Sequence, residues 1–247
     1  MDDRPRYIAL LAAVLVVAVT TAGCVGMPAS GPPYDTPIDA QTIASDHQAA
    51  LDEAGSYTIT ANTSVSLGGA NSAGESTVVA RIDETNQRAN FSTTTAFGPI
   101  SVYVDDDTLY QRIGDTDAQY QVQQRSVNVS SIGSPDVAGT VSNYSFVANG
   151  STTLNGDTVW RYEANATGEN ASLPQNIGQT FGASTVDVTL YVRQDGLVVR
   201  QVTNTTIVDD SDQQLGSWRS TITYSEVGST TVEEPDWLSE ARNATTG

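Results

Sequence analysis

The sequence predicts a mainly β protein, an antiparallel meander of about ten strands behind a single N-terminal helix. Three observations carry this. From Ser56 onward, apolar and polar residues alternate with period two, the signature of half-buried strands. Tight-turn pairs, Asn155-Gly156 and Asp195-Gly196, separate such runs at hairpin spacing. Helical spacing is confined to one stretch before Ser56 and two short interruptions later, so strands do not alternate with helices as in a parallel α/β fold.

The chain has 247 residues, and residues 1–23 read as a signal peptide. Arg4 and Arg6 precede a run of small and apolar residues from Ile8 to Ala22. That run is short for a membrane span, which needs roughly 20 residues, and fits a signal core of roughly 7–15. It ends in Thr21-Ala22-Gly23-Cys24, small residues before the only cysteine, where a lipobox would place the acylated thiol. Thr21 departs from the aliphatic residue usual at that place, and Arg4-Pro5-Arg6 lacks adjacent arginines, so the export route stays open. One cysteine excludes an internal disulfide and a cysteine-based metal site. Residues 24–36 then form a lipidated tether rich in Pro, Gly and Ser, a semi-rigid spacer. Residues 37–247 are expected to form one domain.

That domain opens with the helix. Thr36 is the expected cap, with Pro37 in the first turn, Asp39 favouring the positive end of the helix dipole and Gly55 ending it. Ile43, His47 and Leu51 recur at i, i+4 on one face. His47, the only histidine, is expected to pack where helix meets sheet rather than to act as a base or ligand.

Ser56–Leu67 places Tyr57, Ile59, Ala61, Val65 and Leu67 on one face and Thr58, Thr60, Asn62, Ser64 and Ser66 on the other. At ~3.3 Å per residue it would reach about 40 Å, which calls for a large twisted sheet. Further strands follow around Val78–Ile82, Ala89–Thr93, Val102–Val104, Thr108–Ile113 and Ala118–Gln124. Later ones run over Phe146–Thr153, Asp157–Ala164, Val186–Arg193, Leu197–Thr206 and Trp218–Val227, the last followed by Ser229–Glu233. Two segments interrupt them, Ser126–Asn143 and Glu169–Ser184, with apolar residues among polar ones, suited to lying across a sheet face. Tyr103-Val104-x-x-Asp107-x-Leu109-x-x-Arg112 echoes Tyr191-Val192-x-x-Asp195-x-Leu197-x-x-Arg200, one hairpin pattern with an acidic turn used twice.

Charge sets the surface. The chain carries 29 acidic residues, 11 arginines and no lysine, a net charge of −18. Such a surface repels nucleic acid and anionic headgroups and suits high salt, where screening shortens to ~3 Å. Nine asparagines begin Asn-x-Ser/Thr: Asn62, Asn90, Asn128, Asn143, Asn149, Asn165, Asn170, Asn204 and Asn243. The Ser and Thr content alone would give about three, so the excess suits a glycosylated outer surface.

Catalytic chemistry is not indicated. There is no lysine, His47 has no partner motif, and no nucleophile elbow, P-loop or dinucleotide fingerprint occurs. Asp105-Asp106-Asp107 and Asp209-Asp210-Ser211-Asp212 lack the spacing of a calcium loop. The expectation is a non-enzyme with no cofactor and no metal.

Several parts together resemble a known group. The lipobox, the tether, the helix reading Asp46-His47-x-x-Ala50-Leu51-x-x-Ala54-Gly55-Ser56-Tyr57-Thr58, the long meander and the close Glu234-Pro235-Asp236-Trp237-Leu238 resemble the lipoproteins of haloarchaea that share the LolA/LppX-like fold. The resemblance implies a strongly curved antiparallel sheet, a half-barrel, with the N-terminal helix and short helices on its concave side. It also implies a concave cavity for lipid or acyl chains. Tyr57, Ile59, Val65 and Phe91 would line it, with Ile177 and Phe181 from the second interrupting segment. The same residues could instead be filled core. Two readings follow: an outward-facing lipoprotein, held to the cell membrane through Cys24, that binds or carries a hydrophobic ligand; or a glycosylated surface protein with a solid core and an unknown protein partner.

Overall fold

The computed structural model describes residues 31–68, 74–95, 98–132, 136–167, 182–208 and 213–244. Cys24 and most of the tether, Asn170, Ile177, Phe181 and Asp209–Asp212 lie outside them.

Helix α1 spans Ala40–Ala54. Its cap is Asp39 rather than Thr36, because the Asp39 carboxylate accepts the Thr42 amide at 2.7 Å and so satisfies one of the open first-turn donors. Gly55 ends it in the left-handed conformation at φ 69°, its amide donating to the Leu51 carbonyl.

Eleven strands follow: β1 Ser56–Leu67, β2 Gly74–Asp83, β3 Arg88–Thr95, β4 Gly98–Asp105, β5 Thr108–Ile113, β6 Gln119–Gln124, β7 Val147–Leu154, β8 Asp157–Thr167, β9 Gly182–Val192, β10 Val198–Val208 and β11 Gln214–Ser225. Between β6 and β7, Val129–Ser131 makes a 3-10 turn and α2 spans Val137–Asn143, capped by Asp136, which accepts the Gly139 amide at 2.7 Å. Helix α3, Leu238–Ala244, closes the described chain.

All eleven strands join one open sheet in the order β6-β5-β4-β3-β2-β1-β11-β10-β9-β8-β7. Two meanders thus fan out from the centre, where β1 pairs antiparallel with β11 over Thr58↔Ser225 to Leu67↔Gly216. Hairpin geometry explains the local pairing: Asn155 and Gly156 have φ of 54° and 96° between β7 and β8, the positive pair that a two-residue turn demands. Ser229–Glu233, expected to follow the last strand in the meander, does not join the sheet. Positive φ at Glu226 and Gly228 turns the chain away, and residues 226–237 cross one face.

The period-two pattern sorts side chains between the faces. Toward α1, Leu51 packs with Tyr57, Ile59, Ala80, Ile82, Ala89, Val104 and Tyr224. A second cluster joins Ile43 and the α2 residues Val137 and Val141 to Tyr162, Val188 and Leu190. Residues 127–132 and α2 therefore lie across the same face as α1. The opposite face carries the crossing segment. Thr58 hydrogen-bonds to Thr230 and Glu226, each at 2.9 Å. Val232 and Leu238 pack on Tyr103, which places α3 on that side.

Candidate functional site

The α1 side of the sheet has a closed part and a half-open part. Tyr57 and Ile59 are 0% and 2% exposed and belong to the packed cluster under α1. The Tyr57 hydroxyl donates to Glu84 at 2.9 Å. Burial, and then the Glu84 carboxylate, push its pKa up, so it stays protonated.

Farther along the same strands the side chains are only half-buried: Val65, Val78, Phe91, Ile100, Val102 and Ile222. Register makes five of them neighbours, with Val65 four positions farther along β1 than Ala61. Ala61 lies opposite both Val78 and Ile222, Phe91 opposite Val102 and Val65 opposite Trp218. Together they form a strip, interrupted by Thr93 between Val78 and Ile100, that runs outward from the Leu51 cluster, on which Phe91, Val102 and Ile222 still pack. The six residues expected to line a cavity therefore separate: Tyr57 and Ile59 are packed interior, Val65 and Phe91 lie in the strip, and Ile177 and Phe181 fall outside the described residues. Val78, Ile100, Val102 and Ile222 were not anticipated. Their alternation was visible, but strand register was needed to place them beside Phe91.

His47 lies between helix and sheet, 5% exposed. Its Nδ1 accepts the Val198 amide at 3.2 Å, and its ring meets Tyr224 edge-on at 4.9 Å. Burial lowers its pKa to about 4, so the ring is neutral at ordinary pH and serves as an acceptor for a strand amide.

The opposite face holds a groove of about 940 Å³ between the sheet and the crossing segment. Arg81, Asn90, Arg112 and Tyr120 belong to its sheet wall, Glu226 and Trp237 to the other. Trp237 stacks on Tyr120 with ring centroids 6.3 Å apart. Arg112 donates to Asp115 at 3.1 Å. Among the described residues no group of three or more His, Cys, Asp or Glu is placed to hold a metal ion, and no helix is long and apolar enough to cross a membrane.

The described sequons divide by place. Asn62, Asn149, Asn165 and Asn204 are exposed on strands, and Asn90 is half-buried in the groove. Asn128 caps the 3-10 turn, Asn143 ends α2 and Asn243 lies in α3.

Comparison with known proteins adds a family and a set of similar structures. A family model described as a family of unknown function (DUF7537) matches residues 9–241. No curated protein matches the chain. Among solved structures, the chain is similar to the lipoprotein LppX of Mycobacterium tuberculosis, at 14% identity and a TM-score of 0.45 over 79% of this chain and 98% of that one. It is similar to LprF of Mycobacterium bovis, at 15% identity and a TM-score of 0.42 over 79% and 96%. A LolA superfamily protein of Nitrosomonas europaea matches at 10% identity and a TM-score of 0.27 over 81% and 97%.

Proposed function

The chain belongs to the DUF7537 family, a family of unknown function, and from that premise we propose that it is an exported lipoprotein that binds a lipid or other hydrophobic ligand on the α1 side of its sheet. The observation that carries this reading is the strip of Val65, Val78, Phe91, Ile100, Val102 and Ile222, half-buried beside the buried cluster of Leu51, Tyr57 and Ile59. Apolar surface left beside a packed core is what a hydrophobic ligand covers, gaining roughly 25 cal/mol for each Å² removed from water. Cys24 at the end of a signal-like segment supports an acyl anchor on the outer face of the cell membrane, with residues 24–36 as the spacer. The acid-rich, lysine-free surface supports a protein adapted to salt, as in haloarchaea. The role is binding rather than catalysis: the one histidine is buried, neutral and engaged with a strand amide.

The test is native mass spectrometry of the full chain purified from its native membrane, with displacement of an apolar dye by the extracted lipids. Bound lipid in the wild type, lost in Phe91→Asp and Val102→Asp variants that keep their near-UV CD, is the expected result. A protein that is always empty and gives no dye competition rules the reading out. Membrane attachment is tested separately: Cys24→Ser should move the chain from the membrane fraction to the soluble one.

A second reading, a surface protein with a filled core, draws on the complete burial of Tyr57 and Ile59. A discrete protein partner captured by a ligand-free protein would favour it.

A further inference from the structure

Five described sequons lie on strands, and all five face the same way. Asn62 lies on β1, Asn90 on β3, Asn149 on β7, Asn165 on β8 and Asn204 on β10. In the strand register Asn62, Asn90, Asn165 and Asn204 fall on the face away from α1, and Asn149, in the irregularity between Ala148 and Ser151, is held on that face by its hydrogen bond to Glu163. Asn62 stands two positions from Thr60 and four from Thr58, which holds the crossing segment. Asn90 pairs with Arg81 and Tyr103. Asn204 and Asn165 both lie opposite Asp187, and Asn149 hydrogen-bonds to Glu163.

That face is divided. Residues 226–244 pack over its β2–β6 half, through Val232 and Leu238 on Tyr103 and through Arg242 over Tyr110. The β7–β11 half is faced mainly with polar side chains, among them exposed Asp187 and Arg219, with Val147 exposed at its β7 edge. Asn149, Asn165 and Asn204 are exposed on this half and Asn62 at its border, whereas Asn90 is half-buried in the groove beside the crossing segment.

We infer that Asn62, Asn149, Asn165 and Asn204 carry N-linked glycans, which together cover the β7–β11 half of the face away from α1, and that Asn90 stays bare. Geometry supports each part. On a strand, residues i and i+2 share a face, so Ser64, Thr167 and Thr206 lie beside their asparagines on the exposed side. Asn165 and Asn204 are two strands apart in one row, about 10 Å at ~4.8 Å per strand, close enough for neighbouring glycans to shield the surface between them. Thr77 donates to the Asn62 amide oxygen at 2.8 Å, while the amide nitrogens of Asn149 and Asn165 donate to the surface carboxylates of Glu163 and Asp187, contacts that the one N–H left on a glycosylated amide can still make. A glycan on Asn90 would instead have to share the groove with Arg81, Glu226 and Trp237. The consequence is a polarity: a sugar-covered face on one side, the apolar strip on the other. This inference does not depend on ligand binding.

Glycopeptide mass spectrometry on the full chain from its native membrane tests it. Glycans at all four asparagines, with the Asn90 peptide unmodified, is the expected result. Each of Asn62→Gln, Asn149→Gln, Asn165→Gln and Asn204→Gln should then lower the intact mass by one glycan. A bare asparagine among the four, or a modified Asn90, overturns it.

Discussion

The Tyr162 hydroxyl holds both backbone polar groups of Tyr34: it accepts the Tyr34 amide at 2.9 Å and donates to the Tyr34 carbonyl at 3.0 Å. Tyr162 is fully buried on β8, and Tyr34 precedes α1. The Tyr34 hydroxyl donates in turn to Asp46 of α1 at 2.9 Å. Burial and that carboxylate push its pKa up and keep it a donor. The segment just before α1 is therefore fixed to the sheet at Tyr34. Tyr162→Phe removes one oxygen and strands an amide and a carbonyl in a partly buried place, which costs about 1–3 kcal/mol. The expected outcome is a lower urea midpoint with an unchanged slope, and faster proteolysis within residues 31–36. Equal cleavage rates in the two proteins would show that Tyr34 is held by other means.

Gly196 is required by contact as well as by backbone. It stands in the turn between β9 and β10 at φ 88°, and a Cβ there would lie 2.5 Å from the Asp46 Cβ and 2.6 Å from the Tyr34 hydroxyl. Gly156 has a similar φ of 96°, with nothing within 4 Å of its added Cβ. The two turns separate strain from collision. Gly156→Ala should cost only the left-handed penalty, roughly 1 kcal/mol. Gly196→Ala should cost clearly more, because α1 must lift from the turn. Equal denaturation midpoints for the two variants would mean that α1 does not rest on Gly196.

His47 makes stability depend on acid. Its folded pKa of about 4 lies below the unfolded value of 6.5, and the cause is burial. The unfolded chain therefore takes up a proton as pH falls below 6.5, while the native protein resists until about 4. Stability contributed by the neutral ring is fully present above 6.5 and is lost across that window, by about 3 kcal/mol in all. Carboxylates titrate in the lower part of the same range, so the decisive quantity is a difference. Unfolding free energies of wild type and His47→Gln, measured from pH 7.5 to 4.5, should converge as pH falls. Parallel curves would mean that native His47 takes up its proton over the same pH range as in the unfolded chain.

Much of this fold was legible because its strongest signals are local. The alternation in Ser56–Leu67 marked β1 to the residue, and Asn155-Gly156 marked its hairpin. What escaped depends on contacts distant in sequence. No local pattern announces that β1 pairs with β11, joining Thr58 to Ser225. Ser229–Glu233 alternates like a strand because Thr230 and Val232 are buried, yet they are buried against an outer face and not within the sheet. Asp39 outcompeted Thr36 as the cap because its carboxylate reaches the Thr42 amide three residues on, which Thr36 stands too far back to do. The half-open strip was half visible: Val65 and Phe91 were found by period, whereas Val78, Ile100, Val102 and Ile222 needed the register.

The charge balance predicts a salt dependence that particular residues can report. With 29 acidic residues and 11 arginines, most carboxylates have no cation to pair with. The pairs that do form are largely at the surface, such as Arg88 with Asp105 at 2.9 Å and Arg112 with Asp115 at 3.1 Å, and such pairs add little. Repulsion among the remaining acids reaches about 10 Å at 0.1 M salt and about 3 Å at 1 M. The melting temperature should therefore rise between these concentrations, equally in NaCl and KCl if screening is the cause. Asp106 and Asp107, exposed in the turn between β4 and β5, offer a local probe. Asp106 has φ 49°, a conformation asparagine accepts readily, so Asp106→Asn with Asp107→Asn removes two charges without backbone strain. Because the change completes a sequon with Thr108, wild type and variant are both made in a host without N-glycosylation. That double variant should melt higher than wild type at 0.1 M, and the gap should close at 1 M. A gap that persists at 1 M would assign the gain to the turn itself, and a wild-type melting temperature that ignores salt would remove self-repulsion from the account.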